Sequence, residues 1–236
     1  MRAEIKLLTT IFSDSNTYKW EIPIRHLIDT DYDCTVLGDA CLEGGGAFCD
    51  ELQFWYFLEW PEEIKKRTLK AKVKHSELVS INYLEFVIII VSYNAILDAI
   101  ELLGKLHDIS HLKSLILSDN TAADSWTRKI ASSSIIGKAL CRILCSLLVN
   151  QSAGLDSAHI SGDDNDCTDN ISCLTKDSVK SISSLFQKYP KLASYHHYHP
   201  APGLISLIYS ALLNNSGEVP MPLRLKGHFS VGKDTS

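Results

Sequence analysis

Four acidic residues are candidates for metal binding, because each lies at or near the end of a predicted strand or helix. Asp39 closes an apolar strand-like pattern, Glu85 lies near the start of a long apolar helix, and Asp119 directly follows a buried strand. Asp169 lies in a short helical pattern after the next predicted strand. A buried carboxylate is costly unless it is paired or bound to a metal. The position of Asp39 therefore predicts a partner elsewhere in the chain.

Hydrophobic patterning predicts the elements that must position these acids. The predicted strands cover residues 33–39, 46–49, 52–59, 112–117 and 155–160, and the predicted helices cover residues 82–106, 121–129, 134–149, 177–188 and 201–214. Asn82 is the expected N-cap of the first helix, and Glu85 would then lie at the third helical position, as in a capping box. A helix cap is the alternative to a functional role for Glu85. The order of strands and helices indicates an α/β fold.

A run of three glycines, Gly44, Gly45 and Gly46, separates the first two predicted strands. Glycine adopts positive φ angles without a steric penalty, and tight hairpins need such angles. We therefore expect these glycines to form the turn of a hairpin directly after Asp39.

The overall charge gives no general attraction to nucleic acid, because the 236-residue chain carries a formal net charge of −5. A local basic run begins with Lys65, Lys66 and Arg67 and continues to Lys74. Two interpretations stay open for this run. It is either a solvated helix or loop face, or a patch that contacts phosphate groups.

Membrane and zinc-binding classes are not favoured. The apolar run from Phe86 to Ile96 is shorter than the roughly 20 residues of a membrane span, and the N-terminus lacks the pattern of a signal peptide. The seven cysteines are scattered without a CxxC pair, which fits a reducing compartment. We expect an intracellular protein, cytoplasmic or nuclear. His196, His197 and His199 are either a metal site or exposed residues of a link between helices.

Five stretches of this chain resemble the ribonuclease H domain of reverse transcriptases, especially those of retrotransposons. These stretches are Gly38-Asp39-Ala40 with Gly45-Gly46-Ala47, Ile81 to Glu85, Ser118 to Ala123, His159 to Asn165, and Asn165 to Ser172. The resemblance extends over more than half of the chain. Thr168 replaces the usual Ala, and Asp163, Asp164 and Asp166 add negative charge around the last acid.

The resemblance implies a ribonuclease H-like fold, in which a five-stranded mixed sheet is flanked by helices. The domain would cover residues 33–176, after an N-terminal lead-in of residues 1–32. Residues 177–236 would form a C-terminal helical extension that ends in a flexible tail.

The resemblance also implies metal-dependent hydrolysis of the RNA strand of RNA/DNA hybrids. Two Mg²⁺ ions, or Mn²⁺ in their place, would be held by the four acids Asp39, Glu85, Asp119 and Asp169. His159 would assist proton transfer, or would simply end a strand.

Substrate contacts would come from three parts of the chain. Expected contacts are the backbone near Gly45 and Gly46, the side chains of Asn120 and Asn165, and the basic residues Lys65, Lys66 and Arg67. A tethered reverse transcriptase polymerase domain of the same retroelement polyprotein is an expected partner. The alternatives are a catalytically decayed module that serves a structural, connecting or nucleic-acid-binding role, and, more remotely, an integrase-like nuclease.

Overall fold

The computed structural model describes residues 31–71, 79–104, 112–149, 153–174, 182–213, 219–220 and 222–230. Most of the predicted lead-in, together with Lys72 and Lys74 of the basic run, lies outside the described residues.

The described strands form one mixed sheet. They are β1 (Cys34–Ala40), β2 (Gly44–Cys49), β3 (Phe54–Glu59), β4 (Leu112–Ser118), β5 (Ala153–His159), β6 (His196–His199) and β7 (His228–Ser230). Their order across the sheet is β5-β4-β1-β2-β3-β6-β7. Strands β1, β2 and β3 are joined antiparallel, whereas β4 is parallel to both β1 and β5. The C-terminal ends of β1, β4 and β5 therefore lie at one edge of the sheet.

Helices cover both faces of this sheet. They are α1 (Glu62–Ala71), α2 (Ile81–Gly104), α3 (Thr121–Lys129), α4 (Ile135–Leu148), α5 (Asp166–Ser172), α6 (Ile182–Lys188) and α7 (Pro202–Leu212). Two 3₁₀ turns lie at Gly162–Asp164 and Pro190–Ser194. The longest helix, α2, packs on β1, β2 and β4, and α5 packs on β1, β2 and β3.

Helix α2 is long and apolar enough to cross a membrane by length and composition alone. In this fold, however, 89% of its most apolar window, within Ile81–Leu102, is buried inside the protein. This degree of burial is typical of the core helix of a globular domain and gives only weak evidence for a membrane span.

The prediction of five strands is wrong, because the described sheet has seven. The two additional strands come from the C-terminal region, for which only helices and a tail were expected. Strand β6 adds to the free edge of β3, and its Tyr198 is fully buried. The Tyr198 ring packs near the rings of Phe54 and Phe229, at centroid distances of 6.4 and 4.9 Å. Aromatic burial between neighbouring strands thus extends the sheet.

The predicted hairpin after Asp39 forms, since β1 pairs antiparallel with β2, but the prediction that the three glycines make its turn is wrong. The chain reverses at Cys41 to Glu43, where the Cys41 N–H donates to the Gly44 carbonyl at 2.9 Å. Gly44, Gly45 and Gly46 all lie inside β2, and no glycine in the described residues has a positive φ angle. Because these glycines lack a side chain, they allow neighbouring residues to pack closely against β2.

The two faces of β2 show why glycine is needed. A Cβ atom on Gly45 would lie 2.5 Å from Ile88 Cδ1 of α2, and one on Gly46 would collide with Ile171 of α5. Helices α2 and α5 therefore approach the central strand from opposite sides.

We predict that Gly45→Ala lowers the free energy of unfolding by about 1–3 kcal/mol, because the added methyl group overpacks the contact with α2. Denaturant unfolding followed by circular dichroism measures this change. Gly154→Ala on the edge strand β5 is the matched control, since a Cβ there meets only the Leu112 carbonyl at 3.8 Å. Equal stabilities of the two variants would contradict the packing explanation.

Candidate metal centre

Three of the four predicted acids converge at the edge where β1 and β4 end. Asp39 is the penultimate residue of β1, Asp119 directly follows β4, and Glu85 lies on the first part of α2. One carboxylate oxygen from each residue lies within 4.8 Å of the other two. Asp39 and Glu85 are only 7% and 3% exposed, whereas Asp119 is open to solvent. The cluster is thus buried on one side and accessible on the other.

Glu85 joins three elements through its carboxylate. It accepts a hydrogen bond from the Ala40 N–H of β1 at 3.0 Å and one from Ser118 Oγ of β4 at 3.2 Å. The capping-box interpretation of Glu85 is therefore wrong. Helix α2 already begins at Ile81, and the Oδ1 atom of the expected cap, Asn82, accepts from Asn120 Nδ2 at 2.9 Å.

Asp39 is held from the opposite side by α5. Its Oδ2 atom accepts a hydrogen bond from Ser172 Oγ at 2.5 Å. The same hydroxyl group lies 3.1 Å from the backbone carbonyl of Asp169, one helical turn earlier. Ser172 thus fixes the orientation of the Asp39 carboxylate relative to α5.

The electrostatics of the cluster disfavour full ionisation. Burial, followed by the charge of Asp39, raises the pKa of Glu85 to about 9. Burial also raises the pKa of Asp39, with further contributions from the charges of Asp119 and Asp169, although the Ser172 hydrogen bond acts in the opposite direction. The groups that donate hydrogen bonds to Asp39 and Glu85 are neutral, so they leave the repulsion between the carboxylates uncompensated.

Asp169 lies outside the group of three. It is exposed in the first turn of α5, and its charge is close enough to Asp39 to raise the pKa of that carboxyl. The structure therefore brings Asp39, Glu85 and Asp119 together and leaves the fourth predicted ligand beside them.

His159 lies at the same edge. It is the last residue of β5, its ring is exposed, and its Nε2 atom is 3.1 Å from the backbone carbonyl of Asp119. Its place next to Asp119 is compatible with both roles considered for it, and its part in proton transfer stays a prediction.

The two predicted substrate-binding asparagines have structural partners. Asn120 caps α3 by accepting from the N–H groups of Ala122 and Ala123 at 3.1 and 3.0 Å. Asn165 is buried, and its Nδ2 donates to the Gly38 carbonyl of β1 at 3.2 Å. Asn165 thus connects the start of α5 to the strand that carries Asp39. Asn120 is half-buried.

The backbone groups of Gly45 and Gly46 do not form a substrate-facing turn. Both residues are buried in β2, between β1 and β3, with Gly46 opposite Asp39 in the β1 register. Their amides therefore lie within a central strand, and the expected contact of these glycines with a nucleic-acid backbone stays a prediction.

The three basic residues lie on α1, where two of them pair with glutamates. Lys65 Nζ is 3.0 Å from Glu43 and 3.4 Å from Glu59, and Arg67 is 3.0 Å from Glu63. Lys66 is exposed. Internal pairing thus offsets much of the positive charge predicted for this surface.

Sequence reasoning missed the supporting roles of Ser118 and Ser172. The spacing of Ser172, three residues after Asp169 on a helix, places both residues on one helix face and is the signal that could have indicated it. No comparable signal connects Ser118 with Glu85, because that contact depends on how α2 crosses the sheet.

His197, His199 and His228 form a separate cluster, in which imidazole rings pack against each other. The His197 and His199 rings lie 4.3 Å apart, and the His199 ring stacks on His228 at 4.6 Å. Burial, followed by the neighbouring His199 and His228, lowers the pKa of His197 to about 4. Within the described ranges, the acid cluster is the one group that places three such ligand atoms within 4.8 Å of each other.

The donor set of the acid cluster fits a hard divalent cation. It offers carboxylate oxygens without thiolate or imidazole ligands, and such oxygens are the preferred ligands of Mg²⁺ and Mn²⁺. Burial and the neighbouring negative charges raise the pKa values of Asp39 and Glu85, and a bound cation would favour the ionised form of both groups. We therefore interpret the cluster as a candidate metal centre whose identity as a magnesium site is a proposal.

Comparisons with known proteins add no further information. No protein-family model, no curated protein and no solved structure matches this chain.

We predict that Glu85→Gln stabilises the metal-free protein at pH 8 by on the order of 1–3 kcal/mol. Between its normal pKa near 4.5 and the folded value of about 9, Glu85 binds a proton in the folded state and not in the unfolded state. Stability of the wild type therefore falls as the pH rises through this window. Thermal unfolding in EDTA at several pH values measures the effect.

The neutral amide removes this pH dependence in the variant. Asp163→Asn is the control for loss of an exposed acid near the same edge, and we expect it to leave the pH dependence unchanged. A Glu85→Gln protein that is less stable than the wild type throughout pH 6–9 would show that burial of the Glu85 carboxyl group does not destabilise the metal-free fold.

Proposed function

We propose that this protein is a ribonuclease H-type endonuclease that hydrolyses the RNA strand of RNA/DNA hybrids with the help of divalent metal ions. The observation that carries the proposal is the convergence of Asp39, Glu85 and Asp119 at one sheet edge. The stretches that resemble the ribonuclease H family support it as well, because they contain the same three acids.

The architecture also supports the proposal. Strands β5-β4-β1-β2-β3 form a mixed sheet of the kind that the resemblance implies, and β6 and β7 extend it at the end far from β5. The acids lie where the parallel strands end, and in open α/β sheets functional groups gather there. The ribonuclease H-like fold itself remains part of the proposal.

In the proposed mechanism, the residues of the chain hold and orient the reacting groups. Asp39, Glu85 and Asp119 would hold one metal ion, and the exposed Asp169 on α5 would help to hold a second. When bound, two Mg²⁺ or Mn²⁺ ions supply the charge that activates water and stabilises the leaving oxygen. Ser172 orients Asp39, and His159 accepts or delivers a proton at the exposed side of Asp119.

Substrate affinity is proposed to come mainly from outside this domain. The net charge is −5, and Lys65 and Arg67 already pair with glutamates. The candidates for contact with the hybrid are Lys66 and Asn120. One hydrogen of the Asn120 Nδ2 group donates to Asn82, and the other could contact the substrate. We therefore infer that a tethered polymerase domain delivers the RNA/DNA hybrid in the intact polyprotein.

One observation favours a second candidate, a module that binds metal or nucleic acid without cleaving it. Asp169 lies outside the group of three ligand atoms, so the structure supports one metal position more strongly than two. A decayed enzyme of this kind would bind Mn²⁺ at the acid cluster and yet leave an RNA/DNA hybrid intact.

We predict that the purified protein cleaves a labelled RNA/DNA hybrid in Mg²⁺ or Mn²⁺, and that Asp39→Asn and Asp119→Asn each lower the rate by at least about 1,000-fold, as is typical for loss of a key catalytic group. A denaturing gel with hybrid, RNA duplex and DNA duplex substrates in parallel measures rate and selectivity. Because Asp39 is buried, thermal unfolding must confirm that the variants fold.

Asp163→Asn is the matched control, since Asp163 is an exposed acid on the adjacent 3₁₀ turn. It should retain the wild-type rate. Cleavage by the wild type that does not exceed that of Asp39→Asn would eliminate the nuclease proposal and favour the non-catalytic module.

A further inference from the structure

Two cysteine thiols lie beside the acid cluster on the elements that carry Asp39 and Asp169. Cys41 is the first residue after β1, and Cys173 directly follows α5. The Cys41 Sγ atom donates to the backbone carbonyl of Ser172 at 3.1 Å, which belongs to the peptide bond that leads into Cys173. Both side chains are half-exposed. The turn after β1 and the end of α5 therefore meet through these two residues.

The contacts of Cys173 lead directly to the acids. Its Sγ atom lies 3.9 Å from Ser172 Oγ and 3.9 Å from Asp169 Oδ1. The Ser172 hydroxyl group is the donor that holds Asp39 at 2.5 Å. Ser172 thus contacts both sulfur atoms, that of Cys41 through its backbone carbonyl and that of Cys173 through its hydroxyl group.

We propose that Cys41 and Cys173 form a reversible disulfide bond, and that closing it weakens metal binding at the acid cluster. The inference rests on one part of the proposed function, namely that the acid cluster binds a metal ion. Its structural basis is the contact that each of the two half-exposed thiols makes with Ser172.

The chemistry requires a peroxide as the oxidant. The Cys41 sulfur attacks one oxygen of hydrogen peroxide, so that the O–O bond breaks, a sulfenic acid forms and water leaves. The Cys173 sulfur then attacks the Cys41 sulfur. The S–S bond forms, the S–OH bond breaks, and the hydroxide leaves as water with the proton of Cys173. A dithiol reductant reverses the reaction.

The disulfide would change the surroundings of Ser172. Sulfur atoms in a disulfide lie about 2.05 Å apart, so the turn at residue 41 and the end of α5 must draw together. The oxidised Cys41 also loses the hydrogen that it donates to the Ser172 carbonyl. Both changes act on the residue that positions Asp39, and groups that orient metal ligands typically affect metal affinity about 10–100-fold.

The other cysteines provide controls within the same chain. Cys34 and Cys49 are fully buried, so they are shielded from peroxide. Cys167 lies on α5 as well and is half-exposed, and it lies near the charged groups of Asp50, Asp166, Lys188 and Lys191. Cys167→Ser is therefore the matched control for Cys41→Ser and Cys173→Ser.

The experiment compares the reduced full chain with the same chain treated with hydrogen peroxide. Mass spectrometry of peptides prepared without reductant identifies the cross-link, and calorimetric titration with Mn²⁺ measures metal affinity. We expect a peptide linked through Cys41 and Cys173, a loss of Mn²⁺ affinity of at least about 10-fold, and recovery with dithiothreitol. Cys167→Ser should respond as the wild type does, whereas Cys41→Ser and Cys173→Ser should not respond.

The readouts separate this inference from the nuclease proposal. A reduced protein that binds Mn²⁺ without cleaving the hybrid ends the nuclease proposal, yet a peroxide-dependent loss of Mn²⁺ affinity would still support the disulfide. The inference is overturned if no Cys41–Cys173 peptide forms, if the linked protein binds Mn²⁺ as tightly as the reduced protein, or if the reduced protein binds no Mn²⁺.

Discussion

The close approach of two buried carboxylates, Asp39 and Glu85, is the constraint on which the rest of the structure depends. Both side chains are almost fully buried, and burial raises the pKa of each. The charge of Asp39 raises the pKa of Glu85 further, and the charges of Asp119 and Asp169 raise that of Asp39. Neutral donors from Ala40, Ser118 and Ser172 hold them in place without cancelling their charge. Such an arrangement costs stability in the metal-free protein, so its presence at an accessible edge indicates a functional site more than a structural one.

Small residues in the sheet allow this approach. A Cβ atom on Gly38 would lie 2.6 Å from Ile88 Cγ2, and Gly45 meets the same side chain. Ile88 lies three residues after Glu85 and on the same face of α2. The glycines therefore let α2 lie close enough to β1 for Glu85 to reach the Ala40 N–H. Packing, electrostatics and the candidate chemistry thus depend on one contact between a helix and a strand.

Local patterns predicted the parts of this arrangement that lie within single elements. The strands that carry or precede Asp39 and Asp119 follow from their apolar sequence patterns, and the acids were identified from their positions at the ends of these elements. The errors arose where distant residues decide. Gly44 to Gly46 lie in a strand that pairs with β1 and β3, and they pack against a helix on each face. The histidine segment forms β6 because it pairs with the edge of β3. The contact of Lys65 with Glu43 and that of Asn120 with Asn82 likewise join residues more than 20 positions apart in the sequence.

The space between Asp39, Glu85 and Asp119 is where a bound cation would lie. A crystal of the reduced protein soaked in Mn²⁺, with anomalous diffraction collected near the manganese absorption edge, tests that claim most directly. We expect an anomalous peak in contact with carboxylate oxygens of all three residues, and its loss in Asp39→Asn. Anomalous peaks confined to other surfaces, with the acid cluster empty at millimolar Mn²⁺, would contradict the proposed metal centre.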